Sequence, residues 1–531
     1  MYSEHTRMQR KKRVALVLIG VAVLLSGQWL LDHQKTQQHK LRQRGTRPAH
    51  FELGHINFTS CELKTLQSGV TSAAWCASFV RPENPTDPSG RKIHLRLALI
   101  RSTAMRPASD LVVFLAGGPG QSAIDIWPQI HSALRPVLEH RDVVLLDQRG
   151  TGGSHPLSCP KVEHALQAAR RRRFTHPRQR ETPTQRHARQ ATEIKACLAE
   201  IEKTTNPRDF TTTDAVDDLI ALRHALGNPR FDLIGVSYGT LVAQQFAMRD
   251  PTGVRSIVLD SVVPNRLILG ESVAVNLQNA LKADLGRCDA EPDCIKAFGN
   301  PYTDLTELRA RIAKHPLLVT YRDPTTNVLH TRTLNKKTLA GVVRLFAYSP
   351  LTAALLPLTL HQALQGNDAP LMGQAQLISS EVGASSINPY MGLSVVCSED
   401  VPWLKPNPAA KGTLLGRRFI RGLQRECAGW PRGRMPANFH QPLRTDIPTL
   451  ILEGQDDPIT PPRYGREVLA HLSDARLLIA RGQGHAVIGT GCIPQLVGKF
   501  IAHLEPKSLD AQCLDVLRPA PPFVNYNGPS P

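Results

Sequence analysis

The segment Phe231-Asp-Leu-Ile-Gly235-Val-Ser237-Tyr-Gly239-Thr-Leu-Val-Ala-Gln-Gln-Phe246 decides the fold. An apolar run, a G-x-S-x-G turn and a helical stretch follow one another without a linker, the order of a strand, a nucleophile elbow and a helix. The two glycines are needed because the elbow holds its serine in a strained backbone, and a side chain at 235 or 239 would collide with the neighbouring strand or helix. The helix starts directly after Ser237. Its first N–H groups, that of Tyr238 foremost, therefore point at the reacting centre, where a developing oxyanion would sit.

A serine hydroxyl attacks only when a base takes its proton, so an acid and a histidine are expected downstream in the order Ser, Asp, His. Thr449-Leu-Ile-Leu-Glu-Gly454-Gln-Asp456-Asp457-Pro458 is a strand ending in a carboxylate-bearing turn, and Arg481-Gly-Gln-Gly484-His485 is a glycine-rich loop after the next strand. Ser237 and His485 are the expected nucleophile and base. The local pattern leaves the choice between Asp456 and Asp457 open. Upstream, Leu111-Val-Val-Phe-Leu-Ala-Gly117-Gly118-Pro119-Gly120 ends another strand; Pro119 has no N–H, so that of Gly118 is the second oxyanion donor. Asp147-Gln-Arg149-Gly150 follows the next strand, and Asp147 and Arg149 are expected to pair within that loop.

Outward from these motifs, Ile93 to Ile100, Leu111 to Leu115, Val143 to Leu146, Leu233 to Val236, Ile257 to Leu259, Thr449 to Leu452 and Ala475 to Ile479 read as strands separated by helices. A helix is expected between Asp209 and Leu226, with Thr213 as N-cap and Gly227 closing it. Short apolar strands alternating with helices imply an α/β fold with a mainly parallel sheet covered on both faces. Residues 161–205 and 266–440 interrupt the rhythm as a basic insertion and a helical cap. The core is thus expected in two parts, 50–265 and 441–515, with a Pro-rich tail at 516–531.

The 531 residues carry 64 Lys+Arg against 45 Asp+Glu, a net +19, which suggests an anionic partner. Residues 1–49 hold ten basic and two acidic residues, and 161–189 hold nine and two, so these 78 positions contain +15 of the total. The rest is nearly balanced, the aromatic content is 5%, and no nucleic-acid-binding signature is present, so no nucleic acid is expected as partner. Arg7, Arg10, Lys11, Lys12 and Arg13 precede the apolar run from Val14 to Leu25, which resumes at Trp29 to Leu31. Residues 1–31 are read as a signal peptide or a signal anchor through 14–31, and 32–49 as a basic linker, giving a periplasmic or secreted protein whose only membrane contact is this segment. Export permits disulfides, and neighbour pairing gives Cys61–Cys76, Cys159–Cys197, Cys288–Cys294, Cys397–Cys427 and Cys492–Cys513, although spacing alone does not prove connectivity. No zinc spacing is present, and neither metal nor cofactor is expected.

Gly117-Gly-Pro-Gly120, Asp147-Gln-Arg-Gly150, the elbow, Asp457-Pro-Ile-Thr-Pro461 and Gly484-His485 together resemble the prolyl-iminopeptidase-like branch of the α/β-hydrolases, and its tripeptidyl-aminopeptidase-like members in particular, over roughly residues 50 to 515. The match to Asp-Pro-x-Thr-Pro places the acid at Asp457. Ala116 departs from the pattern, since many relatives have histidine there. The resemblance implies the α/β-hydrolase fold with a large helical cap, a 441–515 block of the tripeptidyl-aminopeptidase-like kind, and an exported monomeric serine aminopeptidase acting on short peptides with free amino ends. Such an enzyme needs an acidic group for the substrate's α-ammonium, and Glu399 in the cap is the candidate. The same machinery would serve a carboxylesterase on small esters, and a catalytically inert envelope-binding protein is the third reading.

Overall fold

The strands that carry the motifs are buried along nearly their whole length, which is why they read as unbroken apolar runs rather than alternating ones. A computed structural model of the protein describes residues 50–64, 69–175, 182–383 and 387–529. The signal or anchor expectation for 14–31 lies outside them, and among the described residues no helix is long and apolar enough to cross a membrane.

The main sheet contains β1 (Ile56–Lys64), β2 (Thr71–Pro82), β3 (Lys92–Ile100), β4 (Leu111–Leu115), β5 (Val143–Leu146), β6 (Phe231–Val236) and β7 (Val254–Asp260). After β8 (Leu317–Arg322) and β9 (Leu329–Leu334), a separate antiparallel pair, it is completed by β10 (Thr449–Gly454) and β11 (Ala475–Ala480). Across the sheet the order is β1-β2-β3-β5-β4-β6-β7-β10-β11. The pairings among β1, β2, β3 and β5 are antiparallel, and those from β5 through β11 are parallel. Each expected strand is present, most of them one to three residues longer. In a parallel sheet the loops at the carboxyl ends of the strands share one edge, so the turns after β4, β5, β6, β7, β10 and β11 converge.

Helices α1 (Ala123–Ile130), α2 (Pro160–Thr175), α3 (Pro183–Ile201), α4 (Thr212–Ala225) and α5 (Tyr238–Arg249) connect the earlier strands. The basic insertion is therefore a helical pair, α2 and α3, with Cys159 bonded to Cys197 at its base. α4 is capped two residues earlier than expected, by Thr211 instead of Thr213. Thr211 accepts from the Asp214 N–H while the Asp214 carboxylate accepts from the Thr211 N–H, so two otherwise orphaned donors are satisfied at once.

Between β7 and β10 run α6 (Val273–Gly286), α7 (Pro301–Lys314), α8 (Lys336–Phe346), α9 (Leu356–Leu364), α10 (Pro389–Glu399) and α11 (Arg418–Cys427), with the β8–β9 hairpin among them. This region has a buried cluster of its own, in which Leu277 and Leu281 of α6 meet Leu308, Val343 and Leu360. The cluster beneath the sheet is separate and is built on Trp127, Val112, Leu450, Val497 and Phe500. All five neighbour cysteine pairs are bonded.

Candidate active site

Ser237 stands at the end of β6 with φ 55° and ψ −123°, a conformation that a residue with a Cβ adopts only under constraint. The constraint is crowding by backbone. A Cβ on Gly239 would lie 2.1 Å from the Leu115 carbonyl oxygen at the end of β4, and one on Gly235 would lie 2.5 Å from the Gly239 carbonyl oxygen in the first turn of α5. The Thr240 hydroxyl donates to the Ser237 carbonyl at 2.6 Å and accepts from the Val263 N–H at 2.8 Å, tying α5 to the loop after β7.

The two acidic candidates point in different directions. Asp457 accepts at Oδ2 from His485 Nδ1 at 2.7 Å, and its other oxygen accepts the N–H groups of Ile459 and Thr460 at 2.7 and 2.8 Å. Asp456 turns instead to Arg287, next to α6. Burial works against the Asp457 charge, yet the imidazole and these donors hold its carboxyl below the usual range. Burial also opposes a charged His485, but the Asp457 carboxylate outweighs it and raises the imidazole. The Thr460 hydroxyl bonds Asp457 Oδ2 at 2.9 Å and lies 3.3 Å from His485 Nδ1, so it flanks the pair.

The histidine loop is held by close backbone approach. A Cβ on Gly454 would come within 1.8 Å of the Gly484 carbonyl oxygen, and one on Gly484 within 2.2 Å of that of Tyr348. The His485 N–H donates to the same Tyr348 carbonyl at 2.9 Å, and the Tyr348 ring stands edge-on to the imidazole with centroids 5.3 Å apart. The region between β7 and β10 thus supports the His485 loop directly. Ser237 and His485 make no hydrogen bond to each other among the described residues. That is common before substrate tightens such contacts.

Of the two expected oxyanion donors, Tyr238 occupies the first position of α5, where backbone N–H groups have no helical acceptor. In the β4 loop the Gly117 N–H is taken by Gln121 Oε1 at 3.2 Å, which leaves the Gly118 N–H as that loop's candidate. The loop abuts Ser237: a Cβ on Gly117 would be 3.2 Å from the Ser237 Cβ.

Asp147 and Arg149 do not pair, contrary to expectation. Asp147 accepts from the Ser122 hydroxyl and from the N–H groups of Ile124 and Gly153, at 2.6, 3.0 and 3.1 Å, so it fixes the start of α1. Arg149, fully buried, leaves the loop for Asp218 on α4 with bonds of 2.7 and 2.8 Å and donates to the Glu83 and Asp209 carbonyls. Neither acceptor carbonyl nor Asp218 is near Arg149 in sequence, which is why the local pattern does not reveal its partners.

Glu399, at the end of α10, meets the N-terminus of α4. Its two oxygens accept from the Thr212 N–H and hydroxyl, both at 2.7 Å, and it is 1% exposed. Burial pushes its carboxyl well above the usual range against the pull of those two bonds. The Thr212 hydroxyl also bonds the Tyr238 phenol at 2.7 Å, and Gln148 donates to that phenol at 3.1 Å. Glu399 is therefore connected through Thr212 to Tyr238, the residue after Ser237. No group of three or more His, Cys, Asp or Glu able to hold a metal ion is found among the described residues.

Two family models match the chain, that of the alpha/beta hydrolase fold over residues 110–282 and that of the TAP-like protein over 412–513. The chain has the α/β-hydrolase fold, and its 412–513 segment is similar to TAP-like proteins. Its similarity to Serine protease Hip1 of Mycobacterium tuberculosis is 24% identity over 513 residues, spanning 92% of this chain and 93% of the relative. Tripeptidyl aminopeptidase of Streptomyces coelicolor is 29% identical over 196 residues, 36% of each chain. A crystal structure of proline iminopeptidase from Mycobacterium smegmatis aligns with 81% of this chain and 98% of its own, at 15% identity and a TM-score of 0.39. The two matched segments bracket the site, one carrying the Gly118 loop and Ser237, the other Asp457 and His485.

Proposed function

We propose that this α/β-hydrolase is an exported serine aminopeptidase that cleaves residues or short peptides from free amino ends through an acyl-enzyme. The observation that carries the reading is the Asp457–His485 hydrogen bond of 2.7 Å on the same sheet edge as the strained Ser237 elbow. In this mechanism Ser237 Oγ attacks the scissile carbonyl as His485 Nε2 takes its proton, while Asp457 holds the imidazole by Nδ1 and stabilises the imidazolium. The N–H groups of Gly118 and Tyr238 receive the oxyanion. His485 then returns the proton to the leaving amine, and water repeats the sequence to release the acyl group.

Support for a peptidase comes from the relatives named serine protease and tripeptidyl aminopeptidase. Support for an exopeptidase comes from residues 266–440, read as a cap, whose backbone reaches the site loops at Tyr348–His485 and at Asn388–Gly120, the latter with the Asn388 N–H donating at 2.8 Å. Five disulfides support export, because such bonds persist in oxidising compartments. The burial of Glu399 favours a role in supporting Tyr238 over direct contact with the ammonium.

A panel of tri- to hexapeptides with free and N-acetylated amino ends, read by mass spectrometry, tests the reading. Release of amino-terminal fragments from the free peptides alone is expected. Turnover of small acyl esters with no cleavage of any peptide would make the protein a carboxylesterase, and no turnover of either would return it to a binding role. On the free peptides Glu399→Gln is expected to lower kcat with KM within about 2-fold, whereas a raised KM at unchanged kcat would make Glu399 the ammonium anchor.

A further inference from the structure

Three residues other than glycine adopt positive φ around one point of this site: Ser237 at 55°, Ser261 at 57° and Ala486 at 66°. Each such conformation costs about 1–3 kcal/mol and persists only where neighbours over-determine it. The bonds that do so converge on the end of β7. The Ser237 N–H donates to the Asp260 carbonyl at 2.8 Å, the Ser261 N–H to the Leu452 carbonyl of β10 at 2.8 Å, and the Ala486 N–H to the Ser261 hydroxyl at 2.8 Å. The Asp260 carboxylate, fully buried, accepts the N–H groups of Val487 and Ile488 at 3.0 and 2.8 Å. One residue therefore grips the nucleophile elbow by its main chain and the histidine loop by its side chain, and the elbow and loop are not otherwise bonded through Ser237 and His485.

We propose that Asp260 is a positioning residue of the reaction, setting the separation of Ser237 from His485 through its carbonyl on one side and its carboxylate on the other. The inference rests on the reading of those two residues as nucleophile and base. Asp260 touches no substrate. Its contribution is the geometry of proton transfer, where a misplacement of about 1 Å is enough to cost about 100-fold in rate.

The carboxylate also has an electrostatic effect that a purely structural brace lacks. The charged groups facing it are His485, Asp457 and, from β10, Glu453. Burial raises Asp260 to about 6, with the Asp457 charge adding to the effect, while the two amide donors and His485 oppose it. Its negative charge in turn favours the imidazolium of His485, the form produced when the Ser237 proton is taken. Glu453 is itself pushed well above the usual carboxyl range by burial and then by Asp457.

The test compares full-length wild type, Asp260→Asn, Ser261→Ala and Ser237→Ala on the best free-amine peptide across pH, with circular dichroism to check folding. Asp260→Asn is expected to lose 10- to 100-fold in kcat with KM within about 2-fold, and the acidic limb of kcat/KM moves to lower pH because the charge favouring the imidazolium is gone. Ser261→Ala, which frees the Ala486 N–H and removes a 3.3 Å hydroxyl bond to Asp260 but keeps the carboxylate's charge, is expected to lose kcat with little movement of that limb. A folded Asp260→Asn with wild-type kcat and an unmoved limb overturns the proposal; if that variant does not fold, wild-type kcat in Ser261→Ala overturns it instead. Activity surviving in Ser237→Ala would refute the functional reading itself. An inert Ser237→Ala beside a wild-type-like Asp260→Asn removes only the role given to Asp260.

Discussion

A methyl group on Gly454 would meet the Gly484 carbonyl oxygen at 1.8 Å, and one on Gly239 would meet that of Leu115 at 2.1 Å; on Gly341 in α8 or Gly422 in α11 it would meet nothing within 4 Å. The same residue type answers to two different demands. At the strand ends it allows backbones to touch so that Ser237, Asp457 and His485 can be carried on separate loops and still converge. At Gly341 and Gly422 it is a weak helix former with space around it. The lesson is that the site loops on this sheet edge are fixed by main-chain contact, whereas the interior of the region between β7 and β10 is packed by side chains.

That contrast can be broken in three places. Asp457→Asn keeps the shape of the acid but not its charge, and should lower kcat about 10⁴-fold, as an amide in this position leaves the imidazole in the wrong tautomer. Its pH profile carries a second expectation. His485 is raised by Asp457, and activity requires the neutral imidazole, so the wild-type acidic limb lies above the ordinary histidine value of about 6.5. In the Asp457→Asn variant burial acts on the imidazole without that opposing charge, and the limb should fall. A limb that stays in place would mean that another group sets it. Gly454→Ala, measured by urea unfolding, should destabilise by about 1–3 kcal/mol and remove most activity, because backbone must move to admit the methyl group. Gly341→Ala, at the other end of the contrast, should stabilise by about 0.5–1 kcal/mol and leave kcat unchanged; destabilisation there would show that the upper region is packed as tightly as the sheet edge.

The parts of the fold that are legible in the sequence are those where local chemistry admits few solutions. Strands buried on both faces have to be apolar runs, and turns in which backbones touch have to be glycine, so β4, β5, β6, β10 and β11 and their loops can be placed from residues alone. Asp456 and Asp457 are not separated by the strand-and-turn pattern, because both follow the same strand; the resemblance to Asp-Pro-x-Thr-Pro points to Asp457, and in the structure the Arg287 and His485 partners distinguish them. Local pattern pairs Arg149 with Asp147, two residues away, when its partner Asp218 is 69 positions along the chain. The cap of α4 does carry a readable signal, since Thr211 and Asp214 stand three apart, the spacing of a reciprocal capping pair, and Thr213 is the wrong threonine of the three in that run. Asp260 has a weaker one, a carboxylate at the end of a parallel strand in line with the other site loops, but no motif marks it. The β8–β9 hairpin alternates buried and exposed residues inside a stretch dominated by helical periodicity, which hides it.

The central claim is that Ser237 is the nucleophile that His485 and Asp457 activate. Incubating the full-length protein with a serine-reactive fluorophosphonate and sequencing its peptides by mass spectrometry measures this directly. The account predicts a single adduct on Ser237, formed quickly in wild type and about 10⁴-fold more slowly in Asp457→Asn. An adduct on another residue, or equal labelling of Ser237 in both proteins, would contradict it.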